Sequence, residues 1–115
     1  MTMDIHAENV AVLLLVSAMI GYVSRGVQAI SLEVLPGRVV LYFAATERTV
    51  EIEEDVTEIA DELVTGYESG FDGPSPTVET DIYVGLVDDG WPGRKKRFVY
   101  WSKESYLAIS NSPDV

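Results

Sequence analysis

Hydrophobic residues recur through the middle of the chain at the spacing of an amphipathic α-helix. Between residues 49 and 69, apolar side chains return every third or fourth position, and most of the polar residues between them are acidic. The apolar positions are Ile52, Val56, Ile59, Ala60, Leu63, Val64 and Tyr67. The polar face carries Glu51, Glu54, Glu58, Asp61 and Glu62, with Asp55 at its margin. The pattern predicts a helix with one side in a hydrophobic core and a bare acidic side.

A second helix is predicted nearer the start of the chain. Its centre is the apolar run at residues 10–20, with Asp4 as a plausible N-cap and an end near Tyr22. This helix is apolar nearly all round, so more than one of its sides must be covered. Either it lies deep in the fold, or it also contacts a partner or a second copy of the chain.

Four further segments have the pattern of β-strands. Residues 27–35 and 78–87 alternate between apolar and polar positions, whereas residues 38–44 form an unbroken apolar run typical of a central strand covered on both faces. The last strand is predicted at residues 97–102. Turn-forming residues separate the strands within each pair, which predicts two hairpins.

The predicted order of elements is α-β-β-α-β-β. This order is typical of a single α+β domain, here spanning residues 1–115, with a four-stranded, mainly antiparallel sheet and two helices packed on one face. The tail from about residue 105 is expected to form a short turn or to be poorly ordered. The pattern leaves the order of the strands open.

Composition limits the classes of partner. The 115 residues carry a net charge of −11, which disfavours nucleic acid and anionic membranes and favours basic partners. Cysteine is absent, so disulfides and thiolate metal sites are excluded. The run at residues 10–20 is too short to span a bilayer. It also lacks the basic residues that precede the apolar core of a signal peptide. We therefore expect a cytoplasmic protein that does not bind membranes.

Motifs for catalysis are not found. Ser69 stands one position late for a nucleophile elbow, and it follows a predicted helix where that motif requires a strand. The chain has a single His and no glycine-rich phosphate loop. Asp88 and Asp89 lack the alternating acids of a calcium loop. We expect no enzyme activity, no cofactor and no metal site.

Charge is distributed unevenly along the chain. Residues 47–89 contain fourteen acids and one base, whereas residues 94–103 contain five bases and no acid. Like-charge pairs one helical turn apart cost about 0.2–0.5 kcal/mol each in an isolated helix. Two explanations of the acidic face remain open. On the first, the acidic face serves solubility or pairs within the fold with Arg94, Lys95, Lys96 and Arg97. On the second, a basic partner supplies the missing cations.

Several segments resemble small bacterial immunity-like proteins of toxin–immunity systems, such as those of contact-dependent growth inhibition. The resemblance is carried by residues 13–24, 29–33, 41–43, 59–63 and 99–104. They match, in order, a leucine-rich helix ending in Gly-x-Val-Ser, two strands, a turn of an acidic helix, and a strand ending in Val-Tyr-x-x-Lys-Glu. The chain departs from the family pattern at Gln28, at residues 44–46 and at Ser102.

The resemblance implies a non-catalytic α+β domain that binds and neutralises a toxin domain, often a basic nuclease. On that hypothesis the partner-binding residues are Glu51, Glu54, Glu58, Asp61 and Glu62, joined by Asp88, Asp89 and Trp91 from the loop before the last strand. The alternative is a structural or regulatory domain that associates with itself through the first helix. The expected state is a monomer or a homodimer.

Overall fold

The computed structural model describes residues 5–23, 26–70, 75–85, 87 and 90–102, and the predicted N-cap Asp4 and the tail lie outside these ranges. The elements follow the predicted order. They are α1 (Ile5–Met19), β1 (Val27–Leu35), β2 (Arg38–Ala45), α2 (Val50–Gly70), β3 (Thr77–Val84) and β4 (Arg97–Trp101).

Most boundaries fall within a few residues of their predicted positions. Strand β1 matches its prediction, and β2 is one residue longer. Helix α1 ends at Met19, before the predicted end near Tyr22. Gly21 follows with a φ of 85°, a left-handed backbone conformation that glycine adopts without strain and that commonly terminates helices. Strand β3 stops at Val84, three residues before its predicted end at Val87, and is followed by Gly85 with a φ of 153°.

The four strands form one sheet in the order β3-β2-β1-β4. Strands β1 and β2 form the predicted hairpin, closed by a turn with Gly37 at a φ of 76°. Strand β4 adds antiparallel to β1, whereas β3 adds parallel to β2. The sheet is therefore mixed, with two antiparallel pairs and one parallel pair.

The predicted second hairpin is wrong, because β3 and β4 lie at opposite edges of the sheet. Helix α2, whose 21 residues span about 32 Å, returns the chain along the sheet before β3. The next strand then runs in the same direction as β2, as parallel pairing requires.

Both helices pack on one face of the sheet, as predicted, and form one core with it. Helix α1 contributes Ala11, Leu15 and Ala18. Helix α2 contributes Ile52, Val56, Ile59 and Leu63. These side chains meet alternate residues of the two central strands, including Ile30, Leu32, Leu41 and Phe43. At the helix–helix contact, Gly66 lets Leu14 approach closely, because a Cβ atom there would lie 3.2 Å from Leu14 Cδ2.

The opposite face of the sheet is covered by the connection between β3 and β4. We call residues 85–96 the strap; residues 86, 88 and 89 of it lie outside the described ranges. The strap places Val87 and Trp91 against Ala29 and Ala44 of the central strands. Strand β2 is thus central and covered on both faces, as its apolar run predicts.

Candidate partner-binding surface

Helix α2 is positioned by a capped start and a buried stripe. Thr49 Oγ1 accepts a hydrogen bond of 3.1 Å from the backbone N–H of Ile52, which satisfies one of the free donors at the helix start. Arg48 Nε donates to Glu53 Oε1 at 2.9 Å beside this cap. The buried residues Ile52, Val56, Ile59 and Leu63 hold one side of α2 against the sheet, and this fixes the orientation of the opposite side.

The acidic face consists of five exposed residues on that opposite side. They are Glu51, Glu54, Glu58, Asp61 and Glu62. At 3.6 residues per turn they occupy an arc of about 100°, directed away from the core. The structure therefore brings together these five of the eight predicted partner-binding residues. An open groove of about 340 Å³ runs along one edge of this face, lined by Val50, Glu53, Glu54, Thr57 and Glu58.

Asp55, at the margin of the acidic face, is surrounded by other carboxylates of α2. Partial burial raises the pKa of Asp55, and the nearby charges of Glu51, Glu54 and Glu58 raise that pKa further. Glu51 and Glu58 lie four and three positions from Asp55, where side chains on a helix surface meet, and Glu54 directly precedes it in the chain. The acidic face is thus a region of concentrated negative potential.

Three of the four cations at residues 94–97 contact groups outside the acidic face. Lys96 Nζ lies 2.8 Å from Glu33 Oε2 on the strap-covered face, and Arg97 forms an ion pair of 3.3 Å with Glu8 of α1. The Arg94 guanidinium lies over the ring of Phe98, 6.0 Å from its centroid. Within the described ranges, none of these cations contacts the acidic face. The interpretation that the basic run neutralises the acidic helix is therefore wrong for this part of the chain.

The remaining described cations also leave the acidic face unpaired. Arg38 pairs with Glu79 at 3.1 Å, on the strap-covered side of the sheet. Arg48 pairs with Glu53, which lies beside the face but does not belong to it. The described ion pairs therefore include none of the five residues of the acidic face.

Of the three loop residues predicted to join the site, Trp91 alone lies within the described ranges. Asp88 and Asp89 lie outside the described residues. Trp91 is 1% exposed and packs edge-on against Phe98, with ring centroids 5.3 Å apart. A partner cannot touch its side chain in this conformation, so Trp91 contributes to the core beneath the strap.

Sequence reasoning missed the polar cluster under the strap. Tyr42 donates a hydrogen bond of 2.8 Å to Glu33 Oε1, while Lys96 binds the other carboxylate oxygen. These contacts lower the pKa of Glu33, and burial together with Glu33 raises the pKa of Tyr42 to about 12. The alternation of β1 placed Glu33 on the face away from the helices. Its partner across the sheet could not be identified without the strand order.

Neither a metal site nor a membrane span is found in the described parts of the chain. No group of three or more His, Cys, Asp or Glu side chains there is arranged to hold a metal ion. No helix in these ranges is long and apolar enough to cross a membrane. No protein-family model matches the chain, and no curated protein matches its sequence.

Proposed function

We propose that this protein is a non-catalytic, immunity-type binding protein that neutralises a basic bacterial toxin domain, such as a nuclease, in the cytoplasm. One observation carries the proposal: five exposed carboxylates share one face of α2, and no described cation of the chain pairs with them. The likeness of several segments to immunity-like proteins supports the same function.

The energetics favour a partner over solubility as the reason for this face. Like-charge pairs one helical turn apart within the face, such as Glu54 with Glu58 and Glu58 with Glu62, reduce the stability of the fold at neutral pH. Acids placed for solubility alone could be dispersed over the surface or interspersed with lysines. A basic partner would relieve the repulsion on binding, and the concentrated potential would accelerate its association at low salt.

The test is binding of the toxin domain encoded beside this reading frame, measured by calorimetry over a series of salt concentrations. We expect tight binding that weakens steeply as salt rises, because exposed charges are screened. The double variant Glu58→Lys with Glu62→Lys should weaken binding by at least a hundredfold and flatten the salt dependence.

A matched control reverses two exposed acids away from the face, Glu47→Lys with Asp81→Lys. This control changes the net charge by the same amount, so it separates a local contact from a general charge effect. Equal losses in both double variants would remove the acidic face as the contact surface. Unchanged affinity in the Glu58 and Glu62 variant would do so as well.

A further inference from the structure

Strand β3 forms one edge of the sheet. It pairs with β2 from Thr77 to Val84 without a register shift, and within the described ranges no strand pairs with its outer side. Natural edge strands are usually short, covered, or interrupted by proline, lysine or a bulge. Strand β3 has no proline, lysine or bulge, whereas β4 at the opposite edge has five residues and a register shift. Strand β3 is therefore the edge better suited to receive a further strand.

The hydrogen bonds at the two ends of β3 show which backbone groups reach its outer edge. The N–H of Thr77 donates to the carbonyl of Gly37, and the N–H of Gly85 donates to the carbonyl of Ala45, both at 3.0 Å. Successive residues of a strand direct their backbone groups to opposite sides, so the odd-numbered residues of β3 pair with β2. The N–H and C=O groups directed outward belong to Val78, Thr80, Ile82 and Val84.

The side chains of β3 give the two faces of this edge different chemistry. Ile82 packs against the core beneath the helices, and Val84, on the same face, is 49% exposed. The strap-covered face carries Glu79 and Asp81. Glu79 pairs with Arg38, whereas none of the ion pairs within the described part of the chain includes Asp81. A strand that fits beside β3 therefore has apolar side chains on the helix side and basic side chains on the strap side.

We propose that β3 binds an extended segment of another protein in which apolar and basic residues alternate, and that this segment joins the sheet antiparallel to β3. In recognition of this kind, main-chain hydrogen bonds supply affinity and alternate side chains supply specificity. The apolar positions cover Val84, and the basic positions lie beside Asp81. Because Asp81 lies on the face of the sheet opposite α2, this site is separate from the acidic face and goes beyond the proposed function.

Charge selects a basic segment over a second copy of the chain. Two β3 edges paired about a twofold axis would bring Glu79 and Asp81 of one copy near the same acids of the other. Like charges on adjacent strands destabilise their pairing. The net charge of −11 adds repulsion between whole copies, and it attracts a basic segment.

The probe is a capped eight-residue peptide of alternating lysine and valine, and NMR of the full chain gives the readout. At saturating peptide, hydrogen exchange should slow about tenfold at the amides directed outward, because they gain acceptors. These are the amides of Val78, Thr80, Ile82 and Val84. The matched control is the same peptide N-methylated at each valine, which keeps the charge and the side chains but blocks the main-chain pairing. It should leave the exchange rates unchanged.

Two substitutions with the same change in charge separate this site from the acidic face. Asp81→Lys should weaken peptide binding about fivefold and leave the binding of the toxin domain unchanged, whereas Glu58→Lys should do the reverse. Both residues are exposed, so the fold should persist, as circular dichroism can verify.

Several outcomes would overturn the proposal. They are unchanged exchange at millimolar peptide, equal protection by the N-methylated peptide, and equal weakening by Asp81→Lys and Glu58→Lys. Protection that appears without peptide and grows with protein concentration would assign the edge to a second copy instead. None of these results bears on the acidic face, and a toxin domain that fails to bind would overturn the proposed function alone.

Discussion

Lys96 Nζ lies 2.8 Å from Glu33 Oε2, and this ion pair ties the end of the strap to the central strand β1. The pair is partly shielded, with 35% of the Lys96 side chain and 20% of the Glu33 side chain exposed. Tyr42 donates to the other carboxylate oxygen from the neighbouring strand. The three side chains thus join the strap, β1 and β2. Because Lys96 is held in this cluster, it does not pair with the acidic face of α2.

The contribution of Glu33 should depend on pH in a defined direction. Lys96 and Tyr42 lower the pKa of Glu33 below its ordinary value of 4.5, so protonation favours the unfolded chain. The stabilisation is complete above pH 4.5 and is lost as pH falls through the lower, folded pKa. Glu33→Gln should reduce the free energy of unfolding by on the order of 1 kcal/mol at pH 7.

Urea unfolding of both proteins between pH 7 and strongly acidic pH measures this effect. Protonation of crowded acids such as Asp55, whose pKa is raised, acts in the opposite direction in both proteins. The difference between wild type and Glu33→Gln isolates the contribution of Glu33, and it should shrink at the acidic end. A difference that stays constant with pH would contradict the prediction.

Gly93 is required where the strap touches the sheet. Ser31 Oγ donates a hydrogen bond of 2.8 Å to the Gly93 carbonyl. A Cβ atom at Gly93 would lie 2.6 Å from Tyr42 Cβ and would also collide with Ser31 Oγ. Gly93→Ala should therefore destabilise the fold by about 1–3 kcal/mol, the usual range for an overpacked interior.

Thermal and urea unfolding measure the loss in Gly93→Ala, and Gly70→Ala supplies the control. A Cβ atom at Gly70 meets nothing within 4 Å at the end of α2, so the substitution should be neutral or slightly stabilising. If Gly93→Ala were as stable as this control, the strap could not lie against Ser31 and Tyr42 as described.

Trp91 should tolerate loss of its indole nitrogen better than loss of its ring. Its Nε1 atom is buried without a hydrogen-bond partner within the described chain, a penalty of about 1–3 kcal/mol. Trp91→Phe removes that donor and keeps an aromatic ring near Phe98, so it should change stability by about 1 kcal/mol or less. Trp91→Ala should cost about 3–5 kcal/mol. Circular dichroism should follow unfolding, because both substitutions alter fluorescence.

Charge reversal in the acidic face should raise the stability of the fold while it weakens the binding of a basic partner. Glu58→Lys removes like-charge neighbours at Glu54 and Glu62 and replaces them with attractive pairs, so it should stabilise the fold by about 0.5–1 kcal/mol at low salt. The gain should fade in concentrated salt. Urea unfolding at two salt concentrations measures it, with Glu47→Lys as the control outside α2. A loss of stability in Glu58→Lys would contradict the repulsion inferred here.

Local patterns predicted the elements well, because each depends on residues close in sequence. The period of Ile52, Val56, Ile59 and Leu63 fixes which side of α2 is buried, and therefore which side carries the acids. Alternation in β1 assigned residues to its two faces. These features needed no knowledge of how the strands pair.

Strand pairing and burial in the strap could not be predicted in this way. The turn-rich residues 88–93 are typical of a hairpin loop, and on that interpretation Trp91 was expected at the surface. Its burial depends on Ala29 and Ala44, which are distant in sequence and come together beneath the strap through the strand order. The pairing of Lys96 with Glu33 depends on the same strand order.

The order of strands also affects which parts of the protein fold last and unfold first. The hairpin of β1 and β2 is closed by a two-residue turn, whereas β4, five residues long, reaches β1 after most of the chain has been laid down. Contacts between distant segments form slowly and short edge strands release readily. In native-state hydrogen exchange, the amides of β4 should therefore lose protection first, while those of the central hairpin persist until the whole molecule unfolds.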